Sequence, residues 1–277
     1  MKKAKSFGVH ILSFDVEHWD EGFSYRGFSR IKETTFFDEK TMHDLFGLLA
    51  ETRQQATMFF TGRFAREFPH VVKQAALQGH EVASHSFTHK VLSRMGSLHA
   101  FREDLSASIK KLEDLCGKRI IGYRAPKWSI RDLGFVNSLR VLKEVGMEYD
   151  SSLFPRKKND QAWPLQIDLG NGTKIWEIPA MTMAFMRGRI PVGGGLWFRL
   201  FPEWVTRAAL LEKERLKMPG VIYLHPYDLD PDCPKGDITV PFFYMMRKYG
   251  VASAFRKLKT ILQKFKFICI RDYLETF

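Results

Sequence analysis

Hydrophobic and polar residues alternate along the chain with two periods, one typical of buried strands and the other of amphipathic helices. Short apolar runs bounded by polar or turn residues predict strands over 9–14, 56–60, 80–84, 119–123, 174–178, 221–224 and 267–270. Apolar residues at helical spacing predict helices over 38–52, 63–78, 98–115, 132–145, 203–217 and 241–266. Asp38 is the predicted N-cap of the first helix, and Gly79, Gly117 and Gly146 end the next ones.

Predicted strands and helices alternate over most of the chain, which indicates an α/β fold with one parallel sheet, open or closed into a barrel. No stretch rich in glycine, proline or serine divides the sequence, and no internal repeat is present. We therefore expect all 277 residues to form a single domain. The pattern loosens after Asp150, where Pro155 and Pro164 interrupt it, and predicts a loop-rich insertion over about 151–202.

The composition favours a folded domain with an anionic partner. Hydrophobic residues make up 45% of the chain, which is enough for a sizeable core and argues against a disordered protein. The 43 Lys and Arg against 31 Asp and Glu give a net charge of +12, which favours nucleic acid, acidic lipid headgroups or an acidic glycan. Because no nucleic-acid-binding motif is recognisable, we expect no nucleic acid partner.

Cysteine usage and hydropathy predict a protein of the reducing cytoplasm. Cys116, Cys233 and Cys269 are far apart, and their spacing fits neither a disulfide framework nor a cysteine zinc site. The first apolar stretch is interrupted by His10 and leads into acidic residues without a cleavage site, and no 18 consecutive apolar residues occur. The segment 241–266 predicts a basic amphipathic helix, either packed on the domain or bound peripherally to the acidic inner membrane face.

Four polar clusters follow predicted strands, at the position where ligands collect in parallel α/β folds. They are Asp15 with Glu17, the segment 85–89 with a histidine at each end, the segment 124–128, and His225 after Leu224. Their common position is the signal, since each cluster alone has a simpler interpretation.

Two of these clusters are typical of a metal site. Asp15 and Glu17 are two residues apart, so on an extended segment both carboxylates face the same way and need a cation or an arginine between them to ionise. His85 and His89 are four apart, so both imidazoles can bind one metal. One carboxylate with two histidines gives the open three-ligand arrangement of catalytic zinc; solvated acids and structural histidines are the alternative.

Arg124 and His225 each have a functional and a structural interpretation. Arg124 keeps its proton, so beside a carboxylate it holds that group ionised and oriented; alone it is a surface arginine in a turn shaped by Pro126. His225, between an apolar strand and Pro226, is a proton donor if a metal site lies beside it and a buried core histidine otherwise.

The ordered motifs of the chain resemble those of the polysaccharide deacetylases of the NodB-homology superfamily (carbohydrate esterase family 4). The resemblance extends from Asp15 to His225 and depends on Ser-Phe-Asp-Val-Glu, His-Ser-x-x-His, Arg-x-Pro and Leu-His-Pro in that order. The chain is especially similar to the deacetylases of bacterial exopolysaccharide and exosortase gene clusters. The motifs shared with that group include Tyr149-Asp150-Ser151-Ser152, Gly193-Gly194-Gly195 and His-Pro-Tyr-Asp-Leu-Asp-Pro at 225–231.

The resemblance implies a distorted (β/α) barrel of about seven parallel strands that holds a divalent metal, most often zinc. His85 and His89 are then metal ligands, and Asp15 is the general base. Glu17 takes the position of the metal-binding acid, where the commonest family motif has two adjacent aspartates. His18 is a further candidate ligand that the family pattern does not include.

The same resemblance implies roles for the residues around the metal ligands. Arg124 holds Asp15, His225 protonates the leaving amine, and Asp150 orients His225. A backbone N–H of the segment 126–128 stabilises the oxyanion, and two side chains enclose the acyl methyl group. The expected substrate-binding residues are Pro126, Lys127, Trp128 and Leu224.

We therefore expect a metal-dependent hydrolase that removes N-acetyl groups from amino sugars of a bacterial cell-surface polysaccharide. The expected substrate is an N-acetylated glycan, or a lipid-linked or nucleotide-linked sugar that serves as its precursor. Two alternatives stay open: an amidase or deformylase acting on a different amide, and a non-catalytic glycan-binding barrel.

Overall fold

The computed structural model describes residues 8–19, 21, 34–232 and 248–277. The strands in these ranges are β1 (Val9–Val16), β2 (Thr57–Phe60), β3 (Glu81–Ser84), β4 (Gly122–Tyr123), β5 (Tyr149–Asp150), β6 (Leu165–Asp168), β7 (Lys174–Glu177), β8 (Thr182–Phe185), β9 (Gly188–Pro191), β10 (Val221–Leu224) and β11 (Lys266–Ile268). The helices are α1 (Thr34–Thr52), α2 (Gly62–Glu67), α3 (Pro69–Leu77), α4 (Leu92–Met95), α5 (Leu98–Cys116), α6 (Phe135–Glu144), α7 (Gly195–Leu200), α8 (Glu203–Arg215), α9 (Val251–Lys264) and α10 (Ile270–Leu274). Short 3₁₀ turns follow β4 and β10, over Pro126–Arg131 and Pro226–Asp228.

The main sheet is parallel and curls into a half-barrel. Its strand order is β10-β1-β2-β3-β4-β5-β7-β6, in which β6 runs antiparallel to β7, and β11 pairs with the first residues of β1. Seven strands of this path are parallel, which confirms the expected α/β fold with about seven parallel strands in one domain. Strand β1 is buried from its second residue onward, as expected for a central strand covered on both faces.

The outer edge of β10 is covered by Met181 and by the triple-glycine segment. Met181 donates its backbone N–H to the carbonyl of Val221, and the Tyr223 N–H donates to the carbonyl of Gly193. A Cβ atom on Gly194 would lie 2.1 Å from the carbonyl oxygen of Tyr223. The glycines are therefore needed because two backbones approach closely here.

Two details of the predicted helices are wrong. The predicted helix 63–78 is interrupted, because Pro69 has no N–H to continue α2 and Phe68 leaves the helical region with φ −123° and ψ 60°. Helix α1 begins at Thr34, so Asp38 lies inside it and is not its N-cap.

The segment 151–202 is more regular than its sequence pattern indicates. It contains β6 and β7 of the main sheet, the antiparallel hairpin of β8 and β9, and helix α7. Because β7 pairs with β5, the segment contributes to the half-barrel itself.

The C-terminal helix α9 packs its apolar side against the rest of the domain. Within the predicted helical segment 241–266, residues 241–247 lie outside the described residues. The buried residues of α9 are Val251, Ala254, Leu258, Ile261 and Leu262. Of the helices in the described ranges, none is both long and apolar enough to cross a membrane.

Candidate active site

The side chains singled out in the sequence come together at the carboxyl ends of the parallel strands. Asp15 and Glu17 lie at the end of β1, His85 follows β3, Arg124 follows β4, and His225 follows β10. Parallel strands end at the same rim, so residues far apart in the sequence meet there.

Glu17, His85 and His89 form a buried cluster with the donor atoms of a divalent-metal site. One side-chain oxygen or nitrogen from each lies within 4.8 Å of those from the other two. Glu17 Oε2 is 3.7 Å from His85 Nε2 and in close contact with His89 Nε2. One carboxylate and two imidazoles whose donor atoms are directed at one point fit a divalent cation such as zinc. They leave coordination positions open.

The two imidazoles are oriented by the backbone around them. His85 Nδ1 donates to the carbonyl of Arg124 at 2.7 Å, which fixes the tautomer and leaves Nε2 directed at Glu17. His89 adopts a left-handed backbone conformation with φ 54°, which is uncommon for a residue other than glycine. Such strain is characteristic of functional sites.

Burial and neighbouring charges set the protonation of the cluster. Burial opposes ionisation of Glu17, but the positive charges of His89 and Lys127 hold the pKa of Glu17 well below its ordinary value. Burial lowers the pKa of His85 to about 4. Near neutral pH, Glu17 is therefore ionised and His85 is neutral, and these are the forms in which both side chains bind metals.

Asp15 is held beside the cluster by Arg124. Arg124 Nη1 donates to Asp15 Oδ1 at 2.7 Å and to Ser13 Oγ at 3.0 Å, while Nε and Nη2 donate to the carbonyl and hydroxyl of Ser151. Burial opposes ionisation of Asp15, yet the charge of Arg124 lowers the pKa of Asp15 below its ordinary value. The guanidinium carbon also lies 4.1 Å from the ring centroid of Phe59. Asp15 is thus an ionised carboxylate with a fixed orientation.

His225 faces both carboxylates and is oriented by Asp228. His225 Nε2 lies 3.9 Å from Asp15 Oδ2 and 3.8 Å from Glu17 Oε1. On the other side of the ring, Nδ1 donates to Asp228 Oδ2 at 2.9 Å. Arg199 Nε donates in turn to Asp228 Oδ1 at 3.0 Å. These contacts direct Nε2 into the site.

The orienting role expected of Asp150 belongs to Asp228 in the structure. The 3₁₀ turn after β10 brings Asp228 back onto the ring of His225, three residues earlier. Asp150 instead accepts a hydrogen bond from Ser152 Oγ at 2.5 Å and interacts with Glu177. Burial raises the pKa of Asp150 to about 6 and raises that of Glu177 well above its ordinary value, so these two carboxyl groups share a proton.

The segment after Arg124 places Lys127 and Trp128 next to the cluster. Lys127 and Trp128 both have left-handed backbone conformations, with φ 54° and 63°, which cost about 1–3 kcal/mol each. Lys127 Nζ lies 3.9 Å from Glu17 Oε1. Because two consecutive residues other than glycine are strained, the segment is held in place by its surroundings.

An aromatic group beside Arg124 corrects the expectation for Leu224. The Trp128 ring lies 5.1 Å from that of Phe154 and 4.8 Å from that of Tyr223, between centroids. Successive side chains of a strand point to opposite faces, so Leu224 faces away from this group, and it is fully buried in the core. Tyr223, one residue earlier, takes the position beside the site.

His18 follows Glu17 in the sequence but does not join the cluster of Glu17, His85 and His89. His18 Nε2 lies 3.2 Å from Glu67 Oε2, and its ring packs against those of Phe64 and Phe68. Consecutive residues at a strand end point in different directions. The expectation that His18 is a further ligand is therefore wrong.

Besides Tyr223, three further residues of the site were missed by the sequence reasoning. Tyr227 donates its hydroxyl to Glu17 Oε1 at 2.6 Å and stacks on the ring of His225, 4.6 Å away between centroids. Tyr227 and Asp228 both belong to the His-Pro-Tyr-Asp motif, which could have revealed them. Arg199 lies in another helix and has no comparable signal.

The comparison with known proteins assigns the chain to a family. A family described as "Polysaccharide deacetylase" matches residues 30–149, and one described as "Domain of unknown function (DUF3473)" matches residues 151–275. The chain is similar to the chitooligosaccharide deacetylase of Azorhizobium caulinodans, with 31% identity over 176 residues, which are 56% of this chain and 82% of that protein. This chain belongs to the polysaccharide deacetylase family.

A second curated relative and a solved structure are also similar to this polysaccharide deacetylase. The peptidoglycan deacetylase of Helicobacter pylori is 32% identical over 124 residues, which are 44% of this chain and 40% of that protein. A crystal structure assigned to the polysaccharide deacetylases, from Mycobacterium smegmatis, has the same fold, with a TM-score of 0.67 and 20% identity over 98% of this chain and 91% of that chain. Members of the family are hydrolases that depend on a divalent metal, and membership supports N-deacetylation of a polysaccharide as the reaction.

Proposed function

We propose that this chain removes N-acetyl groups from amino sugars of a bacterial cell-surface polysaccharide or of its precursor, with zinc as the metal. The observation that supports the proposal is the grouping of Glu17, His85 and His89 next to both Asp15 and His225. A metal-binding cluster with a base and an acid beside it is the arrangement that amide hydrolysis requires.

Glu17, His85 and His89 would hold the metal. When bound, the metal supplies Lewis acidity, which polarises an amide carbonyl and lowers the pKa of water towards ~7. The remaining chemistry is performed by the side chains around it.

Asp15 acts as the general base. It takes a proton from the attacking water, whose oxygen adds to the carbonyl carbon of the acetamido group. Arg124 keeps Asp15 ionised and fixes its orientation, so that the second oxygen, Oδ2, faces His225.

His225 acts as the general acid. In its imidazolium form it donates the proton on Nε2 to the sugar nitrogen as the C–N bond breaks, which releases acetate and a free amine. Asp228 stabilises the imidazolium and holds Nε2 in place. The proton gained by Asp15 then restores His225 through one intervening water, since the 3.9 Å between Asp15 Oδ2 and His225 Nε2 exceeds direct hydrogen-bond reach.

The segment 126–128 contributes to the binding of the acetamido group. Pro126 has no N–H, and the Trp128 N–H already donates to the Ala125 carbonyl at 3.1 Å. The Lys127 N–H is therefore the donor in this segment that we assign to the developing oxyanion. Trp128 and Tyr223 provide the apolar surface for the acyl methyl group.

Release of acetate by the metal-loaded protein tests the proposal. Chitooligosaccharides, formylated amino sugars and simple non-sugar amides are incubated with it, and acetate, formate and free amine are quantified. We expect acetate from the N-acetylated glycan, loss of turnover with a chelator, and recovery with zinc. Formate or amine release from the other amides alone would indicate the deformylase or amidase alternative, and no release at all would indicate a binding barrel.

A matched pair of histidine variants connects turnover to the metal cluster. His85→Ala removes a buried ligand, whereas His99→Ala removes a solvent-exposed histidine from α5. We expect loss of bound zinc and of acetate release together in the first variant and neither loss in the second. A His85→Ala protein that is free of metal and fully active would contradict the proposal.

A contact with an acidic membrane stays a prediction. The apolar residues of α9 are buried, so a contact would depend on basic side chains alone. Several of these are engaged: Lys257 donates to the carbonyls of Phe198 and Phe201, and Lys259 pairs with Glu51. Cosedimentation with anionic vesicles at low and high salt tests this contact.

A further inference from the structure

A cavity adjoins the metal-binding cluster and is not used by the mechanism above. Its volume is about 550 Å³, and it is bordered by His89 and by Lys127. The other residues that line it are Glu21, Thr88, Lys90, Val91 and Arg94. A volume of this size admits a sugar ring or a phosphate group next to the one that reacts.

The lining of this cavity is rich in positive charge. Lys90, Arg94 and Lys127 come from three different segments, one before α4, one within α4 and one in the 3₁₀ turn after β4. The acidic residue of the lining is Glu21, whose Oε2 accepts hydrogen bonds from the His18 N–H and the Thr61 hydroxyl. Its other oxygen lies 3.6 Å from Arg63, so the carboxyl of Glu21 is already partnered within the protein.

Lys127 connects the cavity with the reacting centre. Its backbone is strained, as described above, and its Nζ atom lies 3.9 Å from Glu17 Oε1. Its side chain is 32% exposed, so the ammonium group is reachable from the cavity.

We propose that Lys90, Arg94 and Lys127 form an anion-binding subsite for a negatively charged group next to the acetamido sugar of the substrate. The proposal deepens the deacetylase function and rests on it. The ligand of this subsite is a carboxylate or phosphate group on the unit next to the reacting sugar. It has two sources: a uronic acid residue of an acidic glycan, or the phosphate of a nucleotide-linked or lipid-linked sugar.

The test compares three substrates that differ in the neighbouring group. These are neutral N,N′-diacetylchitobiose (hereafter chitobiose), the disaccharide of N-acetylglucosamine and glucuronate, and N-acetylglucosamine 1-phosphate. Lys90→Gln is compared with Lys73→Gln. The control removes an exposed lysine of α3 that does not line the cavity. We expect Lys90→Gln to raise KM for at least one anionic substrate about three- to tenfold, with a smaller change for chitobiose, and Lys73→Gln to change neither.

Binding is also measured without turnover, by calorimetry in the presence of a chelator. The dissociation constant of the preferred anionic ligand should rise by a similar factor in Lys90→Gln and should rise with salt in the wild type. Preference for glucuronate identifies an acidic glycan, and preference for the phosphate identifies a linked precursor. Equal effects of Lys90→Gln on charged and neutral ligands would overturn the subsite.

The two proposals fail in different ways. Weakened anion binding in Lys90→Gln, with no acetate released from any substrate, would support the subsite and contradict deacetylation. Acetate release with no dependence on Lys90 would support deacetylation and contradict the subsite.

Discussion

His225 Nδ1 and Asp228 Oδ2 are 2.9 Å apart, so the imidazole donates one N–H to a buried carboxylate three residues later in the chain. This bond determines which nitrogen faces Asp15 and Glu17. It also stabilises the protonated ring, which is the form that can release a proton to a leaving amine.

Asp228→Asn should lower kcat about 10- to 100-fold with a much smaller effect on KM, because the amide cannot stabilise the imidazolium. The alkaline limb of the pH–rate profile should move to lower pH, since the general acid His225 loses the negative partner that stabilises its protonated form. Zinc content should not change. Steady-state kinetics over a range of pH and metal analysis check this, with the exposed Asp232→Asn as the control. Equal kinetics in both variants would show that Asp228 does not act on His225.

Glu177→Gln should make the stability of the protein less dependent on pH. The pKa of Glu177 is raised in the folded state, and that of Asp150 is raised to about 6, so folding retains protons that the unfolded chain releases. The stability supplied by these protonated groups is complete below pH ~4 and is lost as pH rises through the folded-state values. Glutamine keeps a donor for Asp150 without titrating.

Urea unfolding at pH 5 and pH 8 measures this difference. We expect the free energy of unfolding of the wild type to be lower at pH 8 than at pH 5. In Glu177→Gln this decrease should be smaller by about 1–3 kcal/mol. Glu103→Gln, an exposed change in α5, is the control. Identical pH slopes in the wild type and Glu177→Gln would contradict a shared proton.

Gly194→Ala should destabilise the domain by about 1–3 kcal/mol, because the new methyl group overlaps the carbonyl of Tyr223 in β10. Gly47→Ala is the matched control, since Gly47 lies inside α1 and has no atom within 4 Å of an added Cβ. The control should be neutral or more stable by about 0.5–1 kcal/mol, as alanine favours helices. Chemical denaturation of both variants gives the comparison.

Glu17→Ala should abolish stoichiometric zinc binding, whereas His18→Asn should retain it. Glu17 faces the two histidines, but His18 pairs with Glu67 on the other side of the strand end. Metal analysis after dialysis, with circular dichroism to confirm folding, distinguishes them. Metal loss in folded His18→Asn with retention in Glu17→Ala would reverse the assignment.

The sequence predicted the strand ends well, because apolar runs followed at once by polar motifs mark where β1, β3 and β10 meet the rim. The grouping of Glu17, His85 and His89 required only that parallel strands end together. The apolar periodicity of 63–78 continues through Pro69 and therefore predicts one continuous helix. The structure has two helices there, because proline has no N–H to continue the first one.

The errors at the site have geometric causes. Tyr223 and Leu224 are neighbours in β10, and both are buried. Which of the two side chains faces the site depends on the alternation of side chains along the strand, which the sequence alone does not determine. Asp150 and Asp228 both lie in motifs, and the turn that brings Asp228 onto His225 becomes visible only in three dimensions. Arg199 contacts Asp228 from α7, a tertiary contact that no local pattern encodes.

The neighbourhood of β10 and β1 has a consequence for synthesis on the ribosome. Strand β1, which is followed by Glu17, is translated well before β10, the strand that covers one of its edges. Until then that edge is open to wrong pairings, which a chaperone would need to shield. A nascent chain stalled before β10 would already contain Glu17, His85 and His89, the proposed metal ligands, and yet lack His225, the proposed general acid.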